Sequence, residues 1–96
     1  MIPNKINVAG VEYDVSEVET VIIDGSTNYA GSCSYSDSRI EVLNSMVPTK
    51  KEQSFVHELL HACFHEAGFN EQDEDVINRV SNVLYQVLKD NKLTFE

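Results

Sequence analysis

Basic residues are scarce in this chain of 96: seven Lys and Arg stand against sixteen Asp and Glu, for a net charge of −9. Binding to a nucleic-acid backbone depends on cations that neutralise phosphates, so the shortage argues against a nucleic-acid partner. It leaves open the opposite role, an acidic mimic of nucleic acid, although a solvated acidic surface that aids solubility is the commoner meaning of such a charge. Long apolar runs are missing too. Nothing approaches the roughly 20 residues of a membrane span, and the start "MIPNKINVAG" lacks the basic opening and apolar centre of a signal peptide. No membrane partner and a cytoplasmic location are therefore expected. Only two cysteines occur, Cys33 and Cys63. A chain that is not secreted keeps such thiols reduced, and Cys63 falls among the apolar positions of a helical pattern, where it reads as a small buried hydrophobe. The length suits one domain, residues 1–96, with one modest core.

What is present divides into strands followed by helices. "KINVAGVEYDV" has β-branched and aromatic residues on both sides of Ala9-Gly10, which predicts a hairpin of Lys5 to Val8 with Val11 to Val15. "TVIIDGSTN" is a short apolar run stopped by Asp24-Gly25, a strand or a turn of helix. "AGSCSYSDSRIEVL" reads as a second hairpin, with Ser36-Asp37-Ser38 at its turn and Arg39 to Leu43 returning. Thr49 with Glu52 three residues later forms a capping-box pattern after Pro48, and apolar residues then recur at helical spacing until Gly68. One helix is expected over roughly Lys50 to Ala67. A second is expected over about Glu71 to Asp90, with Val76, Ile77, Val80, Val83, Leu84, Val87 and Leu88 on one stripe and acids at its start. The short "GFN" link predicts antiparallel neighbours. The expected fold is α+β: a small antiparallel sheet of two hairpins packed on two antiparallel helices.

The stretch "FVHELLHACFHEAG" carries the chemistry. At about 100° per residue, His57 and His61 stand together, off the main apolar face, and an i, i+4 pair brings two imidazoles within reach of one ion. Glu58 projects beside the pair, where a general base can reach the attacking water without ligating the metal. The competing reading is an amphipathic helix that happens to hold two histidines and a glutamate. A catalytic zinc site wants a third protein ligand. His65 lies eight residues beyond His57, roughly 12 Å along the axis, which makes tetrahedral angles hard to achieve. Cys33 would offer a thiolate, as the cysteine upstream of the same motif does in peptide deformylases, but "GSCSYS" resembles that segment only loosely. The acids opening the second helix, Glu71, Asp73, Glu74 and Asp75, are carried back towards His61 by antiparallel packing, and spacing does not choose among them.

In four stretches taken in order, "INVAGVEYDV", "YAGSCSYSDSRIEV", "FVHELLHA" and "DEDVINRVSNVLYQ", the chain resembles the short phage and prophage proteins related to ImmA/IrrE-like metallopeptidases, within the gluzincin group. The family pattern places a glutamate two residues before a pair of apolar residues, here Glu74 ahead of Val76-Ile77. The resemblance thus implies a minimal zincin-like fold, His57, His61 and Glu74 as Zn2+ ligands, Glu58 as general base, and a protein or peptide substrate such as a regulatory protein of the host or prophage. Tyr85, eleven residues beyond Glu74 and on the same line of the helix, is the candidate to stabilise the oxyanion, with core packing as its plainer reading. A substrate strand is expected along the edge of Arg39 to Leu43. Two other roles compete with hydrolysis: a zinc-bound protein that only binds a partner, and the acidic mimic. The chain is short for a peptidase and lacks the segments that build a specificity cleft in larger relatives.

Overall fold

The structure is a computed structural model and describes residues 2–93. Four strands precede two helices: β1 (Lys5–Val8), β2 (Val11–Val18), β3 (Gly31–Ser34), β4 (Arg39–Leu43), α1 (Pro48–Glu66) and α2 (Glu74–Asn91). The class is α+β, as expected.

Both expected hairpins form. Ala9 and Gly10 have φ of 52° and 82°, the paired positive values of the two-residue turn that matches strand twist, and they set β1 antiparallel to β2 with Val8 opposite Val11. β3 and β4 pair antiparallel around the turn at residues 35–38, with Cys33 opposite Ile40. The sheet is nevertheless mixed rather than wholly antiparallel. Its order is β1-β2-β4-β3, because β2 runs on to Val18 and pairs in parallel with β4. The long connection after β2 makes that possible, since a parallel neighbour cannot be reached by a tight turn. Within it, Asp24 (φ 51°) and Gly25 (φ 81°) form a second tight turn, in which Ile23 and Ser26 exchange backbone hydrogen bonds of 3.0 and 2.9 Å.

Alternation along β2 and β4 turns Tyr13, Val15, Ile40 and Val42 to one face, where they join Val8 and meet Phe55, Val56 and Ala62 of α1. Covering a side chain of this size contributes about 1.5–3 kcal/mol. Tyr13 is wholly buried yet satisfied, because its hydroxyl donates to Glu66 Oε2 at 2.7 Å, and that bond ties the sheet to the end of α1.

The helix ends depart from expectation. Thr49 does not cap α1. Pro48 occupies the first turn, where its missing N–H costs nothing, and Val47 is the cap residue, with no side-chain hydrogen bond. At the other end Gly68 (φ 97°) donates to His65 O and Phe69 donates to Phe64 O, while the rings of Phe64 and Phe69 meet at 5.3 Å. That is a Schellman stop with its hydrophobic contact. α2 begins at Glu74 rather than near Glu71, because Asp73 caps it by accepting from the N–H groups of Asp75 and Val76. The link is correspondingly longer than "GFN". Cys63 is exposed, contrary to expectation, whereas Cys33 is half-buried; both are free.

The helices do not lie side by side on the sheet. α1 packs on the strands, and among the elements α2 touches α1 alone. The order of layers is sheet, α1, α2. Contacts from His57 to Glu74, Gln53 to Asn82 and Glu52 to Tyr85 run in opposite directions along the two chains, so the helices are antiparallel. Only Ile77 and Ser81 of α2 are buried, and Val76, Val80, Val83 and Leu88 of the expected stripe remain exposed. A helix covered by one neighbour buries a narrower strip than its sequence offers.

Candidate metal centre

His57, Glu58 and His61 face a cleft of about 990 Å³ between α1, the edge strand β3 and the start of α2. α1 brings the two imidazoles to 5.0 Å between ring centroids, edge to face. Ligand-type atoms of His57, Glu58 and His61 all lie within 4.8 Å of one another. Glu74 reaches in from α2. His57 Nε2 donates to Glu74 Oε1 at 2.8 Å, and His61 Nε2 stands 3.0 Å from Oε2 of the same carboxylate. One glutamate from a different helix therefore spans both rings.

Two imidazoles and one carboxylate are donors of the kind that zinc takes. A tetrahedral ion with donors at about 2.0–2.1 Å spaces them about 3.3–3.4 Å apart, so these contacts need widen only by about half an ångström. Glu74 can supply that shift, because its side chain is 68% exposed, while His57 and His61 are held at 20% and 15%.

His61 is oriented from behind. Its Nδ1 lies 2.6 Å from Gln72 Oε1, and Gln72 Nε2 donates to the main-chain carbonyl of His61 at 3.3 Å and to the Tyr35 hydroxyl at 2.9 Å. A carbonyl only accepts, so the amide group must face it and Oε1 must face the ring. Nδ1 is then the donor, so in the neutral ring Nε2 is the nitrogen with the lone pair, on the Glu74 side.

Glu58 is 8% exposed and, among the described residues, accepts no hydrogen bond. Burial pushes its carboxyl up to about 7, against the pull of His61 and with a further push from Glu74. Gly31 makes room for it. A Cβ at Gly31 would stand 3.1 Å from Glu41 O, 3.2 Å from Glu58 Cγ and 3.3 Å from Glu58 Oε2.

The other candidates are placed elsewhere. Asp73 is committed to capping α2. Cys33 lines the cleft, and burial pushes its thiol up to about 12. His65 is exposed, its ring stacked on Tyr35 at 4.1 Å and 2°. The Tyr85 hydroxyl donates to Glu52 Oε1 at 2.6 Å and is not in the cleft lining. Eleven residues do return to the same line of a helix, but about 16 Å further along it, so Tyr85 cannot stand over the ligands. The expected substrate edge is also corrected: β4 is paired on both sides, by β2 and β3. The residues that sequence reasoning missed are Gln72, Tyr35 and Gly31. No periodicity marks them, since each acts through a loop or a strand edge.

Comparison with protein families, with curated proteins and with solved structures finds no match to this chain.

Proposed function

We propose that this chain is a zinc-dependent metallopeptidase-like protein that holds the ion with His57, His61 and Glu74. The observation that carries this reading is the Glu74 carboxylate, which stands 2.8 and 3.0 Å from the Nε2 atoms of the two histidines. Two imidazoles and one carboxylate, with room left for water, suit zinc among the common divalent ions. When bound, zinc supplies Lewis-acid polarisation of a scissile carbonyl and lowers the pKa of water.

Glu58 is the general base. A carboxylate oxygen of Glu58 lies within 4.8 Å of a ring nitrogen of each histidine, close enough to reach an attacking water. It takes a proton from the attacking water and returns it to the leaving amine. A peptide strand is best accommodated along β3, the sheet edge that lines the cleft, where Gly31 and Cys33 turn their main-chain groups away from β4.

The test is Glu58→Gln in zinc-loaded protein, assayed against a diverse peptide library. We expect hydrolysis to fall by about 10²–10⁴-fold while zinc affinity changes little. Equal cleavage by both proteins would remove Glu58 as the base. A wild type that binds zinc and cleaves nothing would leave a metal-bound partner-binding protein.

A further inference from the structure

We propose that Gln72 is the positioning residue of the metal centre, fixing the His61 tautomer and the point at which Glu74 enters. This rests on the zinc reading above. Gln72 has three polar partners, each on a different segment or atom: Nδ1 of His61 at 2.6 Å, the His61 carbonyl at 3.3 Å and the Tyr35 hydroxyl at 2.9 Å. The first sets which imidazole nitrogen carries the hydrogen. A ring with its hydrogen on Nδ1 presents the Nε2 lone pair to a cation, and the opposite tautomer presents none there.

The second and third partners fix the side chain that does this. Gln72 can rotate its amide only by setting its carbonyl against the carbonyl of His61, so the orientation is enforced locally. Tyr35 follows directly after β3 and is braced by its stack on His65. The network therefore joins the β3–β4 turn, α1 and the link between the helices. Gln72 lies two residues before Glu74, with Asp73 capping α2 between them. Anchoring Gln72 on α1 thus holds the first turn of α2, and its carboxylate, against the two histidines. The Schellman stop at Gly68 directs the link back so that Gln72 can reach.

The experiment compares wild type with Gln72→Leu, Gln72→Glu and Tyr35→Phe. Zinc affinity is measured by competition with a chromophoric chelator, the visible spectrum of the cobalt-substituted protein reports ligand geometry, and long-range 1H–15N spectra report the His61 tautomer. Gln72→Leu should lose about 10–100-fold in zinc affinity, alter the cobalt spectrum and lose the single Nδ1–H tautomer. Gln72→Glu restores an acceptor for Nδ1–H and should recover most of the affinity. Tyr35→Phe, which leaves Gln72 in place, should show a smaller loss.

Gln72→Leu that binds zinc as tightly as wild type, with an unchanged cobalt spectrum, overturns the proposal. So does a Gln72→Glu variant as weak as Gln72→Leu when both have lost the same thermal stability without metal, since that marks a folding role alone. A wild type that takes up no zinc removes the zinc reading itself, a result distinct from either. Tyr35→Phe keeps the test decisive if Gln72→Leu does not fold: an unaltered affinity and tautomer there count against the network.

Discussion

α1 and α2 are of nearly equal length, yet the fold holds them differently. α1 lies between the sheet and α2 and buries Ser54, Phe55, Val56, Glu58, Leu60 and Ala62; among the described strands and helices α2 touches α1 alone, and it buries Ile77 and Ser81. The candidate centre divides along the same line. His57, Glu58 and His61 belong to the helix fixed on two sides, and Glu74 belongs to the one fixed on a single side. The two proposed histidine ligands and the proposed base are thus positioned by the hydrophobic core. Glu74, the proposed third ligand, is positioned mainly by polar contacts: Gln72 on His61, the Asp73 cap, Gln53 on Asn82, and Glu52 with Tyr85 and Lys89. An ion gripped by both helices would bind only when α2 is docked, and so would stabilise that docking.

The sharpest way to break this contrast is to weaken the single buried contact strip of α2. Ile77→Ala, at a side chain with no exposed surface, should cost about 2–5 kcal/mol in urea denaturation. Val83→Ala, on the uncovered side of the same helix at 62% exposure, should stay within about 0.5 kcal/mol of wild type. Equal costs would mean that α2 is covered on both sides in solution.

The second prediction concerns the better-held region. Gly31→Ala places a methyl against the Glu41 carbonyl and the stem of Glu58, and overpacking of this kind costs about 1–3 kcal/mol. Because the contact is with the proposed base and not with a proposed ligand, hydrolysis should suffer more than zinc affinity. A variant that loses zinc and activity in proportion would contradict the separation of Glu58 from the ligand set.

The smallest effect is expected at the far end of the helix pair. Lys89 donates to Glu52 at 2.7 Å and is the main cause that holds the Glu52 carboxyl down at about 2, with Tyr85 helping. A depressed carboxyl adds stability above the ordinary glutamate range near 4.3, and this is lost as pH falls from there through about 2. Lys89→Met should move the Glu52 titration up towards the ordinary range, read by carboxyl 13C shifts, and flatten that part of the acid limb. The exposure of the pair keeps the effect on stability slight. An unmoved Glu52 titration would show that the pair does not form in solution.

Much of this is legible in the sequence. Alternation in "VEYDV" and "RIEVL" identified the strands and their inward residues, and Ala9-Gly10 the turn, because these are local consequences of backbone sterics. His57, Glu58 and His61 were legible for the same reason, since i, i+4 spacing fixes a face of a helix wherever the helix lies. The parallel pairing of β2 with β4 was not legible, because it depends on the path of residues 19–30 between distant strands. The exposed stripe of α2 and the exposure of Cys63 were misread for a related reason: a helical period shows which residues share a face, not whether a second layer covers that face. Tyr85 illustrates the limit most plainly. The wheel put it in line with Glu74, and only distance along the axis, together with its bond to Glu52, separates it from the site.

The most direct test of the central claim is the metal content of protein purified without chelator or histidine tag, measured by elemental mass spectrometry beside His61→Ala and Glu74→Ala. We predict near-stoichiometric zinc in the wild type and its loss in both variants. A folded wild type free of metal, or zinc retained in full after Glu74→Ala, would contradict the proposed centre.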